Sequence, residues 1–408
     1  MEEVDHAVAF TNEQLVAQCG HLEQVEVTDL QQIEGSKGDV DVVIAWVDGR
    51  DPEHRAKRKR YLAHPGGDAR PERAARGERR FSDNDEIRYC LRSIHNYAPW
   101  VRTIWLVTDD QIPAAIDRQR AEQHDIRIVD HREIFRGYEQ LLPTFNPLAI
   151  ESMLWRIEGL ADRFLYFNDD MMLVGPVEPT DFFLNERRVK LRGRWSSWKE
   201  QLEKGNTFNG LNKLLGAEML GYPSEHFFSS GHVIYPLLRP PMAELFDQFK
   251  PIFLANAEYR FRNRKQFWPI SAHDHLLLKS DRAQVVKPSD SAHFSVRYCR
   301  TASREALEAR LRQLSDGTMR FACINYLEAV VDKVPDAMDY LSEATGPAAP
   351  FEKPRTEAPL HPRESRRLPG SDRRWWRVRA RCSRNRVTAV MRKQLRGQIV
   401  RRCSHPRT

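Results

Sequence analysis

The sequence predicts an α/β fold: a Rossmann-like, mostly parallel sheet with helices on both faces, followed by a more helical C-terminal part of the same region. Three observations predict it. Four short apolar runs recur between Val40 and Phe167. Patterns of helical period separate them. Three of the runs stop abruptly at acids: Val40–Val47 before Asp48-Gly49, Thr103–Thr108 before Asp109-Asp110, and Phe164–Phe167 before Asn168-Asp169-Asp170. Strands that are apolar on both faces belong in the middle of a sheet covered by helices.

In chain order, residues 1–38 form a preface without an assigned role, closed by the Gly35-Ser-Lys-Gly38 breaker. Region 39–345 carries the ordered pattern, starting with the strand Val40–Val47. Between Ala63 and Arg80, Pro, Gly and Arg interrupt the pattern, which reads as a mobile loop or lid. Ser82, followed three residues later by Asp85, is placed to cap a helix whose Ile87, Leu91 and Ile94 recur at i, i+4 and i+7. Strands follow at Thr103–Thr108 and Ile126–Val129. Asn146-Pro147 then reads as an N-cap with proline at the first helical position, ahead of Ile150, Leu154 and Ile157. After the Phe164–Phe167 strand and Pro176, longer helical stretches appear, including Met242–Phe253 and Arg304–Leu314. Proline density from Ala348 to Pro369 marks a linker, 346–370, leading to a basic tail, 371–408.

The chemistry begins at Asn168-Asp169-Asp170. In open α/β sheets ligands bind beyond the carboxyl ends of the strands, where this run delivers two carboxylates. Hard oxygen ligands at that position suit Mg2+ or Mn2+. The same residues would also serve to satisfy backbone groups in a turn.

Composition narrows the classes. The 408 residues are 41% hydrophobic, and no run approaches the roughly 18–20 apolar residues of a spanning helix. Met1-Glu-Glu-Val-Asp-His lacks the features of a secretory signal, so a cytoplasmic location is expected. Six scattered cysteines, with no C-x-x-C pair, suggest neither a zinc site nor a disulfide framework; Cys90 and Cys323 read as small core residues. His273 and His275, two apart, do not share a helix face and read as ordinary polar residues.

The net charge of +7 hides an asymmetry. From residue 361 onward, 15 Arg and one Lys face Glu364 and Asp372, a local +14 that leaves −7 for the preceding 360 residues. Arg373-Arg374-Trp375-Trp376-Arg377 joins arginines to interfacial aromatics, which suits the inner face of an anionic membrane. Nucleic acid is not expected as the core's ligand, because phosphate binding favours a basic face and the core is acidic.

Four separated segments resemble one family. Asp41-Val-Val-Ile-Ala-Trp-Val-Asp-Gly-Arg-Asp-Pro52 looks like the first conserved region of the Stealth family of hexose-1-phosphate transferases. Asp83-Asn-Asp-Glu-Ile-Arg-Tyr-Cys-Leu-Arg-Ser-Ile94, Ala98-Pro-Trp100, Val107-Thr-Asp-Asp-Gln-Ile-Pro113, Leu142-Pro-Thr-Phe-Asn146, Ala149-Ile-Glu151 and Tyr166-Phe-Asn-Asp-Asp-Met171 continue the likeness. Gly231-His232 with Arg260-Phe-Arg262 is similar to the third region, and Arg320-Phe-Ala-Cys-Ile-Asn325 to the fourth. Tyr326 follows where the family commonly has an acid, so no metal ligand is assigned there.

The resemblance implies transfer of hexose-1-phosphate from a nucleotide-diphosphate sugar, a UDP-sugar by expectation, to a glycan hydroxyl in exopolysaccharide or capsule assembly. A nucleoside monophosphate would leave. Phosphoryl transfer depends on positioning and charge neutralisation, with a base for the incoming hydroxyl. On that reading Asp169 and Asp170 hold the Mg2+ or Mn2+, Arg260 and Arg262 clamp phosphate oxygens, and His232 takes the acceptor proton. Asp48 contacts the nucleoside or the metal. Asn84, Glu86 and Arg92 join the substrate set, the alternative being that they order the sheet edge. Two rivals stay open: a metal-dependent glycosyltransferase releasing the nucleoside diphosphate, and a noncatalytic membrane-surface or nucleic-acid binder led by the tail.

Overall fold

The computed structural model describes residues 40–63, 77, 81, 83–206 and 208–354. The preface, nearly all of the Ala63–Arg80 segment, Ser82, the later part of the linker and the basic tail lie outside the described residues. Among the described residues the strands are β1 (Val40–Ala45), β2 (Ile104–Thr108), β3 (Ile126–Asp130), β4 (Arg163–Asn168), β5 (Met171–Leu173), β6 (Phe183–Asn185), β7 (Arg188–Ser196), β8 (Phe227–Ser230), β9 (Tyr235–Leu238), β10 (Ala283–Val286), β11 (Ser291–Phe294) and β12 (Phe321–Ile324).

The expected α/β architecture is present. The main sheet runs β3-β2-β1-β4-β9, with β1 to β4 mutually parallel and β9 antiparallel at one edge. Val42, Val43, Ile44 and Phe164–Phe167 are fully buried, each contributing roughly 1.5–3 kcal/mol by leaving water. Register aligns Ala45 with Asn168 and Thr108 with Asp130, so the strands deliver their acidic ends to one edge.

At the opposite edge Asp41 is also fully buried. Its carboxylate accepts from Arg102 Nε and Nη2 at 2.8 and 2.6 Å, from Trp105 Nε1 at 2.8 Å and from the Ala161 N–H at 2.8 Å. Such a charge is tolerated in a core only with its lone pairs met.

The helix predicted after Ser82 spans Glu86–Tyr97, with Asp85 in the left-handed region (φ 70°) as its N-cap residue. Asn146 caps as expected, its side chain accepting from the Leu148 N–H with Pro147 at the first turn. That helix stops at Glu151, and a 3-10 turn at Leu154–Arg156 replaces the predicted continuation. The Met242–Phe253 stretch divides into Arg239–Gln248 and Lys250–Ala257, because Pro251 has no N–H to extend the first helix.

The part after Pro176 is the more helical one, as expected, with nine α-helices among its described residues. It also carries strands that the sequence does not mark: β10-β7-β6, with β8 paired to β7, and β11 and β12, which join β5 in a third sheet. Short strands there lack the long alternation that would mark them. A second difference lies at the start of the linker. Phe351 is buried, the Asp117 N–H donates to Phe351 O, and the Lys353 N–H donates to Ala115 O, so 346–353 forms a strap on the main sheet's helical layer. No helix among the described residues is long and apolar enough to cross a membrane.

Candidate active site

Strand order 3-2-1-4 places a topological switch point between β1 and β4, where successive connections leave in opposite directions and open a crevice. Asp48 follows β1 and Asp169-Asp170 follow β4. The chain passes from this acid pair into β5, which belongs to another sheet, so Asp170 stands at the junction of both.

Asp48 is fixed by its backbone. Its N–H donates to Gln111 Oε1 at 2.9 Å, Gln111 Nε2 donates back to its carbonyl at 3.0 Å, and its Oδ1 accepts from the Arg50 N–H at 2.8 Å. Gly49 follows because a Cβ there would lie 2.1 Å from Phe81 O, which accepts the Gly49 N–H at 2.7 Å. Arg50 Nη2 reaches Asn84 Oδ1 at 3.2 Å, tying this loop to the start of the Glu86 helix.

Four carboxyls crowd the crevice. Burial raises Asp83 to about 6 and Glu86 to about 7; Asn84 donates to Glu86 through both its backbone N–H and Nδ2. Burial, then the neighbouring charges of Asp170, Glu86 and Asp83, holds Asp169 well above the ordinary carboxyl range. Asp170 is raised by burial and eased by the Asn325 amide, whose Nδ2 donates to Oδ2 at 2.7 Å. Asp170 Oδ1 is buried without a hydrogen-bond partner. An oxygen-only donor set with one orphaned carboxylate oxygen fits a hard divalent cation.

One basic group of the Arg260–Arg262 segment, Arg262, lies near these acids. Half-buried Arg262 is pushed below its ordinary value by burial, against the opposing charges of Glu151, Tyr166, Asp170 and Tyr235. Glu151 in turn is lifted to about 7 by burial and accepts from the Tyr166 hydroxyl at 3.2 Å. Arg260 points elsewhere: Nη1 donates to Leu141 O and Pro143 O at 3.2 Å, and its guanidinium covers Tyr61 at 4.8 Å. Arg92 is directed away too. Its fork grips Glu352 at 2.7 and 2.5 Å, buried beneath the strap. The likeness that grouped these arginines could not distinguish a guanidinium holding a loop from one facing acids.

His232 follows β8 through Ser229-Ser230-Gly231. Lys213 Nζ donates to Ser230 O at 2.5 Å and Ser230 Oγ donates to Asp274 Oδ2 at 2.7 Å, which fixes the approach to the histidine. Its ring stacks on His293 with centroids 4.4 Å apart. Burial, and then the charges of His293, Lys213 and Arg262, lowers His232 well below 6.5, so it is neutral and able to accept a proton. His293 Nε2 lies 2.6 Å from Asn325 Oδ1. A continuous path, His232–His293–Asn325–Asp170, therefore links the base candidate to the acids.

His293 carries no motif in the sequence, and nothing but long-range strand pairing could have found it. Asn325, next to the Tyr326 position at which no ligand is assigned, supplies an amide donor to Asp170. His273 and His275, read as ordinary polar residues, are fully buried and accept the N–H groups of Leu238 and Phe228 at 3.1 and 2.9 Å.

The fold and site define a Rossmann-like α/β protein with an acid-lined crevice at the switch point. Family models described as Stealth protein conserved region 1 and conserved region 2 match residues 38–65 and 80–191. The chain is 31% identical over 254 residues to the capsular polysaccharide phosphotransferase WcwK of Streptococcus pneumoniae, covering 55% of this chain and 74% of that protein. It therefore belongs to the Stealth family.

An exopolysaccharide phosphotransferase of Streptomyces coelicolor is 37% identical over 252 residues, 57% of this chain and 42% of that one. Another, of Nocardia farcinica, is 32% identical over 297 residues, 70% of this chain and 55% of that one. The chain thus spans about half the length of these two relatives. Among solved structures the galactosyltransferase LgtC is similar at 13% identity and a TM-score of 0.37, over 74% of this chain and 95% of that one.

Proposed function

We propose that this protein transfers hexose-1-phosphate from a nucleotide-diphosphate sugar to a glycan hydroxyl, in exopolysaccharide or capsule synthesis, and releases the nucleoside monophosphate. The observation that carries the reading is a neutral His232 joined through His293 and Asn325 to Asp170, with Arg262 near enough for its charge to act on both ends.

Asp169 and Asp170 would hold Mg2+ or Mn2+, which when bound supplies charge neutralisation at the donor's pyrophosphate. The chain's own residues do the rest. Arg262 binds phosphate oxygens through its fork. Asp48, Asn84 and Glu86 line the β1 side of the crevice, where the nucleoside is placed. His232 accepts the proton of the acceptor hydroxyl as its oxygen bonds to the phosphorus bearing the sugar. The pyrophosphate P–O bond breaks, and the electron pair leaves with the nucleoside monophosphate. The bond between the anomeric carbon and its oxygen is untouched.

The basic tail is assigned, from sequence alone, to hold the enzyme at an anionic membrane face; salt-dependent sedimentation with anionic liposomes, lost on truncation after Lys353, tests that. The transfer itself is tested by identifying the released nucleotide with candidate UDP-sugars and glycan acceptors. Diphosphate release would favour the glycosyltransferase alternative.

A further inference from the structure

Beside the oxygen-rich crevice, His232, His293 and Cys323 each bring one potential ligand atom to within 4.8 Å of the other two. We propose that these three side chains form a binding site for a thiophilic divalent cation of the zinc class, adjacent to the acid pair and distinct from it in its donor atoms. Two nitrogens and a sulfur make a donor set that Mg2+ avoids and zinc favours, and three protein ligands leave a fourth position for water.

The fold builds this set from three distant segments. His293 on β11 and Cys323 on β12 are directly paired in register on adjacent parallel strands, so their side chains leave the same face. His232 arrives from the loop after β8 and stacks on His293. The surrounding groups match the support that metal-binding histidines receive. Asp170 Oδ2 accepts the Asn325 amide N–H, which turns the Asn325 carbonyl toward His293. His293 Nε2–H then donates to that carbonyl, and the lone pair is left on Nδ1. A ligand histidine usually donates its other N–H in this way. The same Asn325 amide lies 3.3 Å from Cys323 Sγ. Cys323 is a free thiol; on binding, its S–H bond breaks, a bond from sulfur to the metal forms, and the proton passes to solvent.

A cation held there occupies the lone pair of His232, so if that histidine is the base the loaded protein is an off state; this consequence alone rests on the proposed function. The test requires no turnover. The full chain is stripped with a chelator and titrated with Co2+ alone, then with Zn2+ alone. One equivalent of Co2+ should give a thiolate-to-cobalt charge-transfer band that Zn2+ removes and excess Mg2+ does not. Cys323→Ser should abolish the band, and His293→Gln should weaken binding about tenfold or more, with circular dichroism unchanged in both. Asp169→Asn should leave it intact. Absence of stoichiometric binding, or a band that survives Cys323→Ser, or one lost in Asp169→Asn, would overturn the site. None of these outcomes bears on phosphotransfer.

Discussion

Asn325 donates its amide to Asp170 Oδ2 at 2.7 Å and meets His293 Nε2 at 2.6 Å, bridging β12 to the end of β4 and to β11. Removing it strands both partners. Asn325→Ala should cost about 1–3 kcal/mol of stability for each buried group left unmet, and should lower kcat more than it raises KM. Urea unfolding and steady-state kinetics check both; a variant as stable and active as the parent would detach Asn325 from the site.

Asp169 couples activity to stability in opposite directions. Its carboxyl is raised by burial and by Asp170, Glu86 and Asp83. A raised acid binds its proton more tightly when folded, so its support is full below 3.8 and is lost as pH climbs through the folded value; Glu86, at about 7, does likewise from 4.5 upward. In EDTA, Asp169→Asn should therefore melt higher than the parent above pH 7, and the difference should vanish toward pH 4. Turnover should fall about a hundredfold or more. A variant that melts lower at pH 8, or retains full activity, contradicts the cation role.

His232 is held well below 6.5 by burial, so the acid limb of the rate profile should lie well below that value, with a plateau through neutrality. His232→Ala should abolish transfer while donor binding persists. Arg262→Ala should weaken donor affinity as well, whereas Arg260→Ala and Arg92→Ala should not, since their guanidinium groups hold the Leu141–Pro143 loop and Glu352. Calorimetric donor titrations of the four variants separate these cases.

How much of this the chain declares in advance follows the span of each contact. The Phe164–Phe167 run, its terminal acids and the Asn146-Pro147 cap are local features, and each was legible. The His232–His293–Asn325–Asp170 path was not, because His293 and Asn325 are 32 positions apart and Asn325 and Asp170 are 155 apart, joined only by β11, β12 and β5. The linker boundary failed for the same reason: proline density near 350 suggests an extended tether, yet Glu352 returns 260 positions to Arg92.

That return predicts a stability effect far from the crevice. Glu352 is the shared partner of Arg88 and Arg92, and the side chains of all three are buried. Glu352→Ala should cost about 3–5 kcal/mol by leaving the buried Arg92 guanidinium charge uncompensated, while Arg88 keeps its pair with Asp85. Urea midpoints measure it, and a loss under about 1 kcal/mol would mean the strap is peripheral to the fold.

The central claim is which bond breaks. Incubation with a UDP-sugar, Mg2+ and a short glycan acceptor, followed by phosphorus NMR of the products, reads it directly. Attack at phosphorus predicts UMP together with a phosphodiester-linked glycan that keeps the donor's anomeric configuration. UDP with a phosphorus-free glycoside would show attack at carbon and contradict the account.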